Sequence, residues 1–230
     1  EAQGVDWSQY DNDENGYVDG INIVHAGQGA EEGNGANIWS HKWNLGNYAR
    51  YYDGVWIDSY AINPEKQNSG YSGVPGLTHI GVISHEFGHA LGLPDLYDTD
   101  YSSSGIGTWG LMSGGSWGGN GSSPWFPAHM CAWAKIELGW IDPINLDDEI
   151  SLTIDLENVE ENPIVIKLNG SINNNNQYFL FENRQQIGSD QTLKNSGLLI
   201  WHINEAQNTV EYKHEIRIIR LLLKLIRIYF

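Results

Sequence analysis

The stretch Ser84-His85-Glu86-Phe87-Gly88-His89 places two histidines four positions apart, and no other feature constrains the chain so strongly. On a helix, residues i and i+4 share a face about one turn apart, so both imidazoles can reach a single ion. Glu86, beside the first histidine, can work on a water held by that ion. The spacing predicts a helix entered at Thr78 as N-cap, with Ile80, Ile83, Phe87 and Leu91 as an apolar stripe packed inward. At about 100° per residue the histidines fall opposite that stripe. Gly92 suits the left-handed residue just past a helix end, and Pro94 prevents the helix from resuming. The chain must turn, and Asp95, six residues after His89, can come back toward the ion as a third ligand. Two nitrogens and a carboxylate oxygen leave a fourth tetrahedral position open, the ligand pattern of a catalytic Zn2+ site with Glu86 as general base.

A second motif lies upstream. In Asp11-Asn12-Asp13-Glu14-Asn15-Gly16-Tyr17-Val18-Asp19, oxygen side chains at loop positions 1, 3, 5 and 9 with glycine at 6 match the start of a Ca2+ loop. Asp11, Asp13, Asn15 and Asp19 would supply side-chain ligands and Tyr17 its backbone carbonyl. Asn22 stands where a bidentate glutamate is expected, so another carboxylate must complete the shell, with Glu31 and Glu32 as candidates.

Composition narrows the class. A net charge of −17 argues against nucleic acid and anionic membranes as partners of the main body, and fits an extracellular, calcium-binding protein. Cys131 is the only cysteine, which excludes an internal disulfide and reads as a small core residue. The chain begins at Glu1 with no leader or membrane-spanning run, and is read as a piece of a longer precursor.

Val18–His25 and Val55–Ile62 read as strands, and Asn63–Gly76 as a polar loop. Pro127–Leu138 reads as a second helix ended by Gly139. From Ile150 the pattern changes to short strands, ISLTIDLE, NPIVIKLN, QYFLFENRQ and GLLIWHINE, with GSINNNN as a hairpin connector. His25, His41 and His79 lack metal-ligand spacing and are taken as structural; His129 could approach the site, but a structural role is favoured for it. Lys213–Phe230 holds five of the twelve basic residues and one of the twenty-nine acidic ones. It reads either as an out-of-family end or as a helix with a cationic stripe of Arg217, Arg220, Lys224 and Arg227 for a membrane surface.

The run GVISHEFGHALGLPDLYDTD, followed by GTWGLMSGGSWGG, PAHMCAWAKIELGW, YFLFENRQQIG and GLLIWHINE, resembles the immune inhibitor A family of secreted bacterial metallopeptidases. DNDENGYVDGINIVHAGQGAEEG and IWSHKW are similar to that family's catalytic domain, so the resemblance covers roughly residues 5–212. It implies zinc-dependent cleavage of internal peptide bonds in protein or peptide substrates, structural calcium and secretion. Carried over by position, His85, His89 and Asp95 are the zinc ligands, Glu86 the catalytic base and Met112 the methionine of a Met-turn. Metzincins more often have histidine where Asp95 stands, and Asp98 is the competitor for that role.

The expected architecture is α+β, metzincin-like: an active-site helix packed on a small sheet, then β-rich C-terminal strands. The expected divisions are a catalytic core with its calcium loop over 1–149, a β-rich part over 150–212 and the basic tail over 213–230, in a monomer. The rival reading is a non-catalytic secreted calcium- or glycan-binding module, which the acidic, Trp- and Gly-rich composition would also suit.

Overall fold

The computed structural model describes residues 4–67, 76–98, 100, 102–146, 156–169 and 177–205, with the backbone of 215–218. The compact units of the chain divide between Leu93 and Pro94. Residues 147–155, where the sequence suggests a boundary, lie outside the described residues. Mixed sheets and few helices make up the described residues, in keeping with a peptidase domain.

In the first unit the strands are β1 (Ile21–Gln28), β2 (His41–Asn44), β3 (Arg50–Tyr52), β4 (Val55–Ile57), β5 (Ser59–Gln67) and β6 (Gly76–Leu77). β1 starts later than the expected Val18 because Gly16–Val18 is engaged with β4. Val18 N donates to the Trp56 carbonyl and Trp56 N to that of Gly16, both at 2.8 Å. β3 and β4 form a hairpin whose two turn residues, Asp53 (φ 52°) and Gly54 (φ 90°), both lie in the left-handed region that such tight turns require. The run 55–62 is two strands rather than one. Asp58 interrupts it, its carboxylate accepting from Gly46 N (2.7 Å) and Asn44 Nδ2 (2.9 Å). These two donors hold the Asp58 carboxyl below its ordinary pKa, the Asn44 amide contributing most.

β5 lies between β1, which is parallel to it, and β2, which is antiparallel. It runs on to Gln67, so Asn63–Gln67 is strand where a loop was expected. Pro64 is tolerated because β2 pairs no further than Ile62 and the pairing with β6 starts at Lys66, so among the described residues Pro64 has no ladder partner on that side. Val18, Val55 and Ile57 form a buried cluster with Trp7, Ile21 and Leu45 against it.

Helix α1 (Ile80–Ala90) packs on β5 and β2. Its N-cap is His79, not Thr78, whose backbone N–H donates to the Glu65 carbonyl and so extends the sheet. The helix is rotated from the expected setting. Ile80, Phe87 and Leu91 are 58%, 51% and 43% exposed, while Gly81, His85, Glu86 and Gly88 are the buried residues. Gly81 and Gly88 sit at i−4 and i+3 from His85, so the narrow glycine side of the helix carries that histidine inward.

In the second unit α2 spans Ala132–Glu137, shorter than the expected helix over 127–138. The preceding backbone is held by neighbours instead: His129 N donates to the Asp190 carboxylate (3.0 Å) and its carbonyl accepts from Leu111 N (3.1 Å). Gly139 (φ 66°) ends the helix as expected. The strands are β7 (Ile144–Leu146), β8 (Ile166–Asn169), β9 (Gln177–Arg184), β10 (Gly197–Asn204) and β11 (Glu215–Ile218), in sheet order β11-β10-β9-β8-β7. All neighbours are antiparallel except β7 and β8. Residues 215–218 are strand, and the rest of the basic tail, with Arg220, Lys224 and Arg227, lies outside the described residues. Most of ISLTIDLE and all of GSINNNN lie outside the described residues.

β9 alternates strictly, with Tyr178, Leu180, Glu182 and Arg184 inward. Leu180, Trp201 and Ile203 are fully buried beside it, and burial of Leu180 or Ile203 contributes about 1.5–3 kcal/mol each before conformational entropy is counted. The two inward charges are paired: Glu182 accepts from Lys135 Nζ (2.9 Å), Arg184 Nη1 (3.1 Å) and Trp201 Nε1 (3.0 Å). Cys131 is fully buried, and desolvation raises its thiol pKa to about 11, which fits a core residue.

Candidate metal centre

His85 and His89 rise from one face of α1 with Nε2 to Nε2 at 3.2 Å and ring planes at 89°. Past the helix, Gly92 adopts φ 96° and its N–H donates to the His89 carbonyl, while Leu93 N donates to that of Gly88. This wrap brings the Leu93 carbonyl to 2.7 Å from His89 Nδ1. A carbonyl only accepts, so Nδ1 carries the proton and Nε2 of the neutral ring keeps its lone pair. Glu86, next along the helix, is buried at 8% exposure, an unusual place for a carboxylate.

Asp95 stands at the start of the second unit, half-buried, with Oδ2 accepting from the Tyr97 hydroxyl at 3.0 Å. Its neighbour Leu96 is fixed by two backbone bonds: Leu96 N donates to the Met112 carbonyl (2.7 Å), and its own carbonyl accepts from Ile106 N (3.1 Å). Met112 is 1% exposed in the glycine-flanked turn that the sequence singled out. Asp98, the competitor of Asp95, is committed to its own loop. It accepts from Ser102 Oγ (2.8 Å), Ser103 N (2.7 Å) and Asp100 N (3.1 Å), and these bonds, Ser102 foremost, hold its carboxyl well below the usual range.

The carboxylates of Asp11, Asp13 and Asp19 converge, with one oxygen of each within 4.8 Å of the others. Glu14 (φ 57°) and Gly16 (φ 85°) make the turn, Gly16 N donates to Asp11 Oδ2 (2.9 Å), and Tyr17 N donates to Asn15 Oδ1 (2.8 Å). Asp13 and Asp19 line a cleft shared with Asp58, Ala90 and Leu91. Carboxylates at that spacing repel one another. Glu31 does not complete this group: its Oε1 accepts from Ser40 N at 2.5 Å, and its carboxylate packs beside Gly29 and Pro64. Nor does Asn22, whose side chain accepts from Asn63 Nδ2 at 2.9 Å. The side chain of Glu32 lies outside the described atoms.

Among the described residues the other histidines are placed elsewhere. His25 Nδ1 meets the Ala26 carbonyl (3.0 Å), His41 meets the Trp39 carbonyl (2.7 Å) and the Tyr60 hydroxyl (3.2 Å), His79 occupies the N-cap position of α1 without a side-chain cap bond, His129 Nε2 lies 3.1 Å from Glu160, and His202 Nε2 meets Gln177 Oε1 (3.1 Å). Sequence reasoning missed the Leu93 carbonyl, Tyr97 and Arg184. The first follows from the Gly92 helix end and was within reach of the sequence. Arg184 was not, because its guanidinium bonds the carbonyl of a residue 75 positions away.

Residues 5–141 match the family described as immune inhibitor A peptidase M6, catalytic domain. The chain is 37% identical over 142 residues to immune inhibitor A of Bacillus thuringiensis subsp. alesti, covering 53% of this chain and 21% of that protein. It is 38% identical over 128 residues to the pre-pro-metalloprotease PrtV of Vibrio cholerae serotype O1 strain M66-2, covering 52% of this chain and 14% of that one. The matched regions thus span only 21% and 14% of these two relatives.

Proposed function

The chain belongs to the immune inhibitor A peptidase M6 family, and from that premise we propose that it is a secreted zinc metalloendopeptidase cutting internal peptide bonds of proteins. The observation that carries this reading is the His85–His89 pair. Two nitrogens bound to zinc at about 2.0–2.1 Å with a tetrahedral angle lie about 3.3 Å apart, and the Nε2 atoms stand at 3.2 Å. The Leu93 carbonyl supports the same assignment, because it leaves His89 Nε2 as the donor atom.

Asp95 is the third ligand in this proposal. Leu93 is pinned to the helix end, and two peptide links keep the Cα of Asp95 within about 7.6 Å of that of Leu93. Asp98, by contrast, has its oxygens engaged in closing the 98–103 loop. These three residues would hold the zinc, which would supply Lewis acidity toward a scissile carbonyl and an attacking water. Glu86 takes the proton from that water and delivers it to the leaving amine. Its burial restricts competing solvent around the carboxylate. The metzincin-like assignment rests on Met112, buried in its turn and hydrogen-bonded through its carbonyl to the residue after Asp95.

Calcium is assigned to Asp11, Asp13 and Asp19, with Asn15 and the Tyr17 carbonyl as further ligands. Three converging carboxylates suit a hard cation with oxygen ligands. The site is structural: Gly20, directly after the loop, packs against Ala90 in the last turn of α1, one residue past His89. Export is supported by the pre-pro form named for PrtV. A non-catalytic binding module would have no use for a buried carboxylate beside paired imidazoles. Zinc uptake tests the reading: the chain binds one zinc that His89→Ala loses while folding is retained, and equal zinc uptake by the variant would remove the site.

A further inference from the structure

We propose that Arg184 is a positioning residue for Asp95, acting through the Trp109–Met112 turn; the proposal rests on the reading of Asp95 as a metal ligand. Arg184 lies on β9, outside the residues that match the family's catalytic domain, and is fully buried. Its guanidinium makes four bonds: Nε to Asp190 Oδ2 (2.5 Å), Nη2 to Asp190 Oδ1 (2.6 Å), Nη1 to Glu182 Oε1 (3.1 Å) and Nη1 to the Trp109 carbonyl (3.0 Å). The two carboxylates alone satisfy its charge. The fourth bond does something else, since it ties the sheet to a backbone carbonyl in a remote turn.

Two arms leave this point and meet again on that turn. One is the direct bond to the Trp109 carbonyl. The other runs from Asp190 to His129 N (3.0 Å), then from the His129 carbonyl to Leu111 N (3.1 Å). Between them sits Gly110, whose carbonyl accepts from Ser113 N (3.1 Å) and Gly115 N (3.2 Å). An added Cβ on Gly115 would come within 2.4 Å of that carbonyl, so the turn is closely packed. Met112 follows immediately, and its carbonyl takes the N–H of Leu96 at 2.7 Å. Displacement of Trp109 therefore passes through Met112 to the backbone beside Asp95. Lysine cannot replace Arg184 here, because a single ammonium cannot bridge the Asp190 fork and the Trp109 carbonyl together.

The test is cobalt substitution of the full chain, reading Co2+ affinity and the d–d absorption spectrum, which reports ligand geometry. Arg184→Lys is expected to lower affinity about 10–100-fold and to change the d–d bands, with near-ultraviolet dichroism of the core retained. Arg184→Met with Asp190→Leu removes both arms and leaves no unpaired buried charge, so it carries the test if the lysine variant does not fold. Lys135→Met with Glu182→Gln dismantles the other half of the ion network but keeps the bond to Trp109, and is expected to show the wild-type spectrum. A folded Arg184 variant with wild-type affinity and spectrum overturns the proposal, as does a Lys135/Glu182 variant that shifts equally. If neither Arg184 variant folds, the role is structural and the proposal falls. Wild-type chain that takes up no cobalt would instead sink the ligand reading itself.

Discussion

The Leu93 carbonyl lies 2.7 Å from Nδ1 of His89, so the residue that ends the α1 turn also selects the tautomer of the second histidine. The bond depends on Gly92, whose φ of 96° lets the chain double back within two residues.

Replacing Gly92 with valine puts a β-branched residue in the left-handed region, at a cost of about 1–2 kcal/mol. The account expects a lower melting temperature together with weaker zinc binding, because Leu93 is moved from His89. A melting shift with unchanged zinc affinity would separate the helix end from the histidine.

Tyr97 holds Asp95 Oδ2 through its hydroxyl. Tyr97→Phe is expected to weaken zinc binding about tenfold, with stability changed by no more than about 1 kcal/mol. Isothermal titration with zinc, alongside thermal unfolding, reads both quantities. Unaltered zinc affinity would leave Tyr97 without a part in the site.

If the acidic loop holds calcium as proposed, the ion at about 100 times its Kd would stabilise the fold by about 2.7 kcal/mol. Asp13→Asn removes one of the three converging carboxylates and should abolish most of the melting shift between calcium and chelator. Equal shifts in both proteins would place the calcium elsewhere.

Stability should fall in acid through Glu182. Burial alone would raise its pKa, but Lys135 and Arg184 outweigh burial and hold it below the ordinary 4.5. The unfolded chain therefore binds the proton more tightly, and the stabilisation, complete above about pH 4.5, is lost as pH falls through the folded value. Glu182→Gln is expected to be less stable at neutral pH by about 3 kcal/mol and to show a flatter acid limb. A variant whose acid limb matches the wild type would shift that pH dependence to other carboxylates.

What the sequence made legible was local. His85, Glu86 and His89 are set by helical spacing, and Gly92 and Pro94 mark the turn, because each depends on only a few neighbouring residues. The rotation of α1 was misread, since a stripe of Ile80, Phe87 and Leu91 looks like a buried face, yet Gly81 and Gly88 decide which side packs inward. Asp53-Gly54 between two aromatic runs marks the β3–β4 hairpin, while the apolar run over 55–62 hides the break at Asp58 that makes it two strands. In β9 strict alternation already aligned Glu182 and Arg184 with Leu180, a sign of buried charges needing partners. Their partners Lys135, Asp190 and Trp109 come from three other segments, and no spacing rule links them.

Glu86 is the central claim. The most direct measurement is hydrolysis of an unfolded, fluorescently labelled protein by the zinc-loaded chain and by Glu86→Gln, with bound zinc quantified in both. The account predicts chelator-sensitive cleavage by the wild type, and a loss of about 10²–10⁴-fold in the variant with zinc still bound. Cleavage by Glu86→Gln at the wild-type rate would contradict it.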